Sequence, residues 1–105
     1  MKFDELRRHI ILDILKDWQQ LGWIMNKDGS VDIKGDLVIP IRYQYSELPF
    51  KIGKIEGDLD CRRNGLETLK NFPDVVEGSI HCSNNSTEFT ENEIRRITKC
   101  VRVYV

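Results

Sequence analysis

The sequence predicts a single α/β domain. It reads as a short solenoid of stacked parallel strands, with an N-terminal capping helix and a C-terminal helix-strand cap. Three observations predict it. The phrase GDLDCRRNGLETL, from Gly57, is rewritten from Gly78 as GSIHCSNNSTEF, which sets Cys61 on Cys82 and Asn64 on Asn85 at a spacing of 21. Apolar and polar residues alternate after each of these glycines. Both ends of the chain carry helical signals. A fixed period of this length marks supersecondary units that cannot bury their apolar faces alone and stack to share one core.

The N-terminal cap is assigned to residues 1–26. Phe3, Leu6, Ile10, Ile11, Ile14, Leu15 and Trp18 follow helical spacing. A helix from Phe3 to about Gln20, stopped at Gly22, covers the first turn. Trp18 and Trp23 read as core residues in preference to interface anchors. Asn26-Lys27-Asp28-Gly29-Ser30 is a turn leading into the repeats.

The repeats span residues 30–89. A third copy lies upstream: Ile33-Lys34-Gly35-Asp36-Leu37 matches Ile55-Glu56-Gly57-Asp58-Leu59 at a shift of 22, and Val76-Glu77-Gly78-Ser79-Ile80 follows at 21. Within each copy Leu37 and Ile39, Leu59 and Cys61, and Ile80 and Cys82 point to one side, as a strand's period of two requires. Leu48 and Leu69, on the return segments, meet the same core. Asn64 and Asn85 fold inward and pair with backbone groups of neighbouring turns, because buried backbone at a bend needs partners.

The C-terminal cap occupies residues 90–105. Thr90 and Glu93 form a capping box, with Phe89 and Ile94 at hydrophobic-staple positions. Glu91 and Glu93 begin this helix and Arg95, Arg96 and Lys99 end it, as the helix dipole favours. Val101, Val103 and Val105 alternate with Arg102 and Tyr104, which predicts a closing strand. The strong signals at both ends predict a complete array.

Composition narrows the function. The 105 residues suffice for one domain. Sixteen Lys and Arg against 17 Asp and Glu leave a net charge of −1, which argues against a general nucleic-acid binder. No apolar run is long enough to span a bilayer, and MKFDELRRHII lacks the apolar region of a secretory signal. Three cysteines, an odd number, read as reduced thiols in a cytoplasm.

Catalytic and metal chemistry find little footing. Cys61, His81, Cys82 and Cys100 lack zinc-ligand spacing, so no metal or cofactor is expected. His81 alternates away from Cys82, which defeats a Cys–His nucleophile. Cys61 and Cys82 read as small buried hydrophobes. No phosphate-binding glycine loop or nucleophile elbow occurs. The chain is therefore read as a non-enzyme. What remains is the outward strand face, Asp36, Val38, Asp58, Asp60, Arg62, Ser79, His81 and Ser83, a row of the kind through which solenoids bind proteins. The alternative is nucleic-acid binding by Arg42, Lys51, Lys54, Arg62 and Arg63, with the steep salt dependence of phosphate contacts.

The pattern L-x-[LC]-x-x-N in GDLDCRRN and GSIHCSNN, with its period of about twenty residues, resembles a leucine-rich repeat. More narrowly, the chain is similar to the small leucine-rich-repeat-like proteins of tailed bacteriophages, over Val31 to Phe89. Glu47-Leu48-Pro49 and Asn71-Phe72-Pro73 sit at the returns. The chain departs from the pattern at Arg42, where an asparagine would fall, and at Thr87 and Phe89. The resemblance implies an accessory phage protein in the bacterial cytoplasm. Its role would be to bind and modulate or inhibit a host protein, such as a defence or nucleic-acid enzyme.

Overall fold

A computed structural model describes residues 3–41 and 44–105. The fold is mixed α/β, with two helices and two four-stranded sheets, built largely of parallel strands, among the described residues. Helix α1 (Phe3–Asp17) leads to β1 (Trp23–Met25), β2 (Val31–Ile33) and β3 (Leu37–Val38). Strands β4 (Ile52–Ile55), β5 (Leu59–Asp60), β6 (Val75–Val76) and β7 (Ser79–His81) follow, then α2 (Glu91–Ile97) and β8 (Arg102–Tyr104).

The first sheet has the order β1-β2-β4-β6 and the second β3-β5-β7-β8. Each pass of the chain contributes one strand to each. The second sheet is the alternating segment that the sequence predicts, and its register follows the repeat: Leu37 lies beside Leu59, and Leu59 beside Ile80. The first sheet is not part of the sequence reading. It is built from the residues just before each glycine, with Ile33 beside Ile55 and Ile55 beside Val76. The change of period from 22 to 21 has a local cause. Val31 pairs with Ile52 but Ile33 pairs with Ile55, so β4 carries one extra residue as a bulge.

The core lies between the sheets. Leu37, Ile39, Leu59, Cys61, Ile80 and Cys82 face Val31, Ile33, Ile52, Ile55 and Val76, all buried. Leu48, Leu66 and Phe72 enter from the return segments, and Leu69 and Tyr45 pack against this cluster.

Strands of two to four residues cannot hold a stack by backbone bonds alone. Side chains supply further rungs between passes. Asp36 Oδ1 accepts from Asp58 N at 2.8 Å, and Asp58 Oδ1 from Ser79 N at 2.8 Å. Asp32 Oδ1 accepts from Lys54 N at 3.1 Å across the bulge. Asn71 Nδ2 donates to Leu48 O at 2.8 Å. Asn85 Oδ1 accepts from Asn64 N at 2.9 Å and Leu66 N at 3.1 Å, while its Nδ2 donates to Cys61 O and Cys82 O, both at 3.1 Å. Asn64, fully buried, donates to Arg62 O at 2.6 Å and Ile39 O at 3.4 Å.

These rungs explain the glycines that open the repeated phrases. A Cβ on Gly57 would strike the Asp36 carboxylate and lie 2.8 Å from the Gly35 carbonyl carbon. One on Gly78 would strike the Asp58 carboxylate and lie 2.9 Å from Gly57 O.

The caps differ in detail from expectation. Helix α1 ends at Asp17, and its terminator is Gln19 at φ 61 rather than Gly22. Ile11, Leu15 and Trp18 are buried, but Leu6 and Ile10 are 49% and 52% exposed. Only the second half of α1 reaches the core, so the predicted apolar stripe continues past the surface it covers; the Phe3 side chain lies outside the described residues. Trp18 stacks on Phe50 at 5.7 Å and meets Tyr45 edge-on at 5.9 Å, a core role. The predicted turn joins β1 to β2 as an antiparallel hairpin.

The capping box of α2 is present in both directions: Thr90 Oγ1 accepts from Glu93 N, and Glu93 Oε1 accepts from Thr90 N. Phe89 and Ile94 are buried as the staple predicts. Lys99 lies beyond the helix, past the C-cap residue Thr98, where it bridges to Val75 and closes the first sheet. Strand β8 pairs in parallel with β7 and closes the second.

Removing the Asn85 side chain orphans two donors and two acceptors. Asn85→Ala and Asn64→Ala are each expected to cost about 1–3 kcal/mol, well above Ser83→Ala, by urea-denaturation midpoints. Equal and mild effects would remove the asparagines from the stack's support. Gly78→Ala tests the close approach separately. It is expected to destabilise by about 1–3 kcal/mol, with partial recovery in Asp58→Ala/Gly78→Ala because the colliding carboxylate is gone.

Candidate protein-binding face

The outward side of the second sheet is built by strand alternation. Leu37, Leu59, Ile80 and Val103 form the inner row. Val38, Asp60, His81 and Tyr104 are their in-register neighbours and form one outer row across all four strands. Strand spacing of about 4.8 Å places these side chains in lateral contact range.

The row is held in fixed geometry. Arg62 grips Asp60 through Nε to Oδ1 at 2.9 Å and Nη2 to Oδ2 at 2.8 Å, and its backbone N donates to the same Oδ1 at 3.2 Å. Burial acts to raise the Asp60 carboxyl, but the Arg62 hydrogen bonds and charge outweigh it, aided by His81, and hold the group below its ordinary range. His81 stacks on Tyr104 with centroids 4.8 Å apart and planes at 9°. Val38, 56% exposed, adds an apolar end to the row.

The predicted face divides in two. Val38, Asp60, Arg62 and His81 come together in and beside this row. Asp36 and Asp58 instead serve as rungs, each with a carboxylate oxygen committed to the next pass. Ser79 receives one of those rungs at its amide and lies beside Arg102. Ser83, half-buried beyond β7, accepts from Arg63 N at its carbonyl. Tyr104 and Arg102 are additions that the sequence reading missed. Their alternation with the valines was visible, but α2 interrupts the period, so nothing in the repeat assigned them to the next register position.

The alternative basic set is dispersed. Lys51 pairs with Asp74 at 3.0 Å and Lys54 with Glu77 at 2.9 Å, beside and on the first sheet. Arg62 pairs with Asp60 beside the second. Arg63 is exposed, with a left-handed backbone at φ 57. Arg42 lies outside the described residues.

Cys61 and Cys82 are free and buried side by side within the core. The hydrogen bond that Cys61 shares with Cys82, reinforced by burial, pushes the Cys61 thiol well above its ordinary range. His81 turns to the opposite side of the sheet. Among the described residues no three His, Cys, Asp or Glu side chains gather as a metal-binding group, and no helix is long and apolar enough to cross a membrane.

No protein family, curated protein or solved structure matches the chain.

The Asp60–Arg62 pair sets a pH dependence. A carboxyl lowered by folding contributes stability that is present above its unfolded value, near 3.9, and is lost as pH falls through the lower folded value. Asp60→Asn is therefore expected to flatten the acid limb of the stability curve below about pH 4, measured as the urea midpoint against pH. An unchanged acid limb would show that the fork contributes nothing to folding.

Proposed function

We propose that this chain is a short leucine-rich-repeat-like solenoid that acts as a non-catalytic protein-binding module. The observation that carries the reading is the continuous outer row Val38–Asp60–His81–Tyr104, set on four parallel strands and held by the Arg62 fork and the aromatic stack. A preorganised row of mixed chemistry binds with little ordering cost. It offers an apolar end, a charged pair and an aromatic end, the combination that protein interfaces use. The in-register passes at a 21–22 residue period support the solenoid reading. Following the phage resemblance, the partner is a host protein of an infected bacterium, which the module modulates or inhibits.

The test is an affinity capture from bacterial lysate. Tagged wild type is run beside the triple variant Asp60→Ala/Arg62→Ala/His81→Ala, and both captures are analysed for protein and nucleic acid. One stoichiometric protein, held by the wild type and lost by a variant that still melts cooperatively, is the expected result. A partner retained by the variant would move the interface off this row. Nucleic acid alone, released by salt, would replace the protein-binding reading with the basic-residue one.

A further inference from the structure

We propose that β8 is a self-association edge. Two copies pair β8 with β8 in antiparallel fashion about a twofold axis at Val103, joining two four-stranded sheets into one continuous sheet. β8 is the last strand in the order β3-β5-β7-β8, so one of its sides is bonded to β7 and, among the described residues, no strand pairs with the other. Cys82 N donates to Tyr104 O, which fixes the phase of that ladder. In a parallel pair alternate residues turn their backbone groups to opposite sides. Val103 therefore presents its N–H and C=O to the open edge.

At the opposite end of the same sheet a side chain shields the backbone just ahead of the edge strand. Gln20 Nε2 donates to Asp36 O at 2.6 Å and to Lys34 O at 3.4 Å, covering the backbone ahead of β3. Arg95 does the same ahead of β8, donating to Cys100 O and Val101 O at 3.2 and 3.1 Å, and the Val101 N–H is bonded to Gly78 O, so the exposed edge is that of β8 itself. Edge strands are ordinarily blunted by short length, charge, proline or a bulge; β8 is three residues long and carries Arg102, and VRVYV adds no proline, bulge or inward charge to these. Val101, Tyr104 and Val105 are 62%, 47% and 55% exposed.

The occupant is argued from self-complementarity. Centred on Val103, an antiparallel pair sets Val101 opposite Val105 of the second copy, Arg102 opposite its Tyr104, and Val103 opposite Val103. No like charges meet, and apolar residues face apolar residues. Val103 against Val103 is a pair that exchanges both backbone hydrogen bonds. On the outer face, the second copy's Arg102 arrives beside the Tyr104 ring, whose other neighbour is His81. That gives a cation–π contact at cross-strand spacing, made twice by symmetry. A twofold pair also closes on itself, whereas head-to-tail addition would grow without limit.

The test is sedimentation equilibrium of the purified chain over a wide concentration range, with hydrogen exchange at the Val103 amide. A monomer–dimer equilibrium is expected, with Val103 exchange slowing as dimer forms. Tyr104→Lys sets like charges opposite each other twice and is expected to raise the Kd on the order of tenfold. Arg102→Glu/Tyr104→Lys, which opposes unlike charges in the same register, is expected to restore it. Thermal melts establish that each variant is folded. A monomer at every concentration overturns the proposal, as does an open-ended polymer, a dimer indifferent to Tyr104→Lys, or a folded double variant that does not recover. Should the variants fail to fold, a wild-type dimer whose Val103 amide exchanges at the monomer's rate would overturn it.

Discussion

The structure depends on one constraint: passes of the chain must stack in register so that side chains of one pass satisfy the backbone of another. The strands are two to four residues long, and no single pass encloses a core. Asp32, Asp36, Asp58, Asn64, Asn71 and Asn85 each bond to backbone of another pass. Such bonds matter because a buried bend otherwise leaves its N–H and C=O groups unpaired. They also dictate composition elsewhere. A carboxylate placed over the next bend leaves no room for a Cβ there, so the residues at 57 and 78 are glycine.

The same constraint sorts the surface. Residues at the bends are committed to the stack whatever their charge, which is why Asp36 and Asp58 resemble surface acids in the sequence and act as structural acceptors in the fold. The residues that end the strands on the outer face belong to neither the core nor the rungs. Val38, Asp60, His81 and Tyr104 are therefore the positions at which binding chemistry can be placed with little demand from the core, Asp60 also carrying the pair with Arg62. The two ends of the second sheet are treated alike: Gln20 shields the backbone ahead of β3 and Arg95 the backbone ahead of β8.

Much of this was legible in the sequence. The inner row from Leu37 to Cys82, the inward asparagines and the α2 capping box rest on local chemistry and a short period, which a single chain displays directly. The first sheet was half visible. Ile33, Ile55 and Val76 were aligned as part of the repeat, but strands of two to four residues interrupted by a bulge have too little alternation to announce themselves. Leu6 and Ile10 misled because helical spacing reports which side of a helix is apolar and not how far the underlying core extends. Gly22 misled because Gln19 reached the left-handed conformation first.

The sequence by itself determined the period, the residues that face inward, the capping box of α2 and the pairing of an asparagine with its neighbours. Each of these follows from spacing along one chain and from the obligation of buried backbone to find a partner. Tertiary structure alone decided which acids are rungs and which are surface, that Tyr104 and Arg102 extend the outer row past the helix that breaks the repeat, and which backbone groups of β8 face away from β7. Those outcomes depend on what lies beside a residue in the adjacent pass, and a residue about twenty positions away becomes a neighbour only when the stack forms.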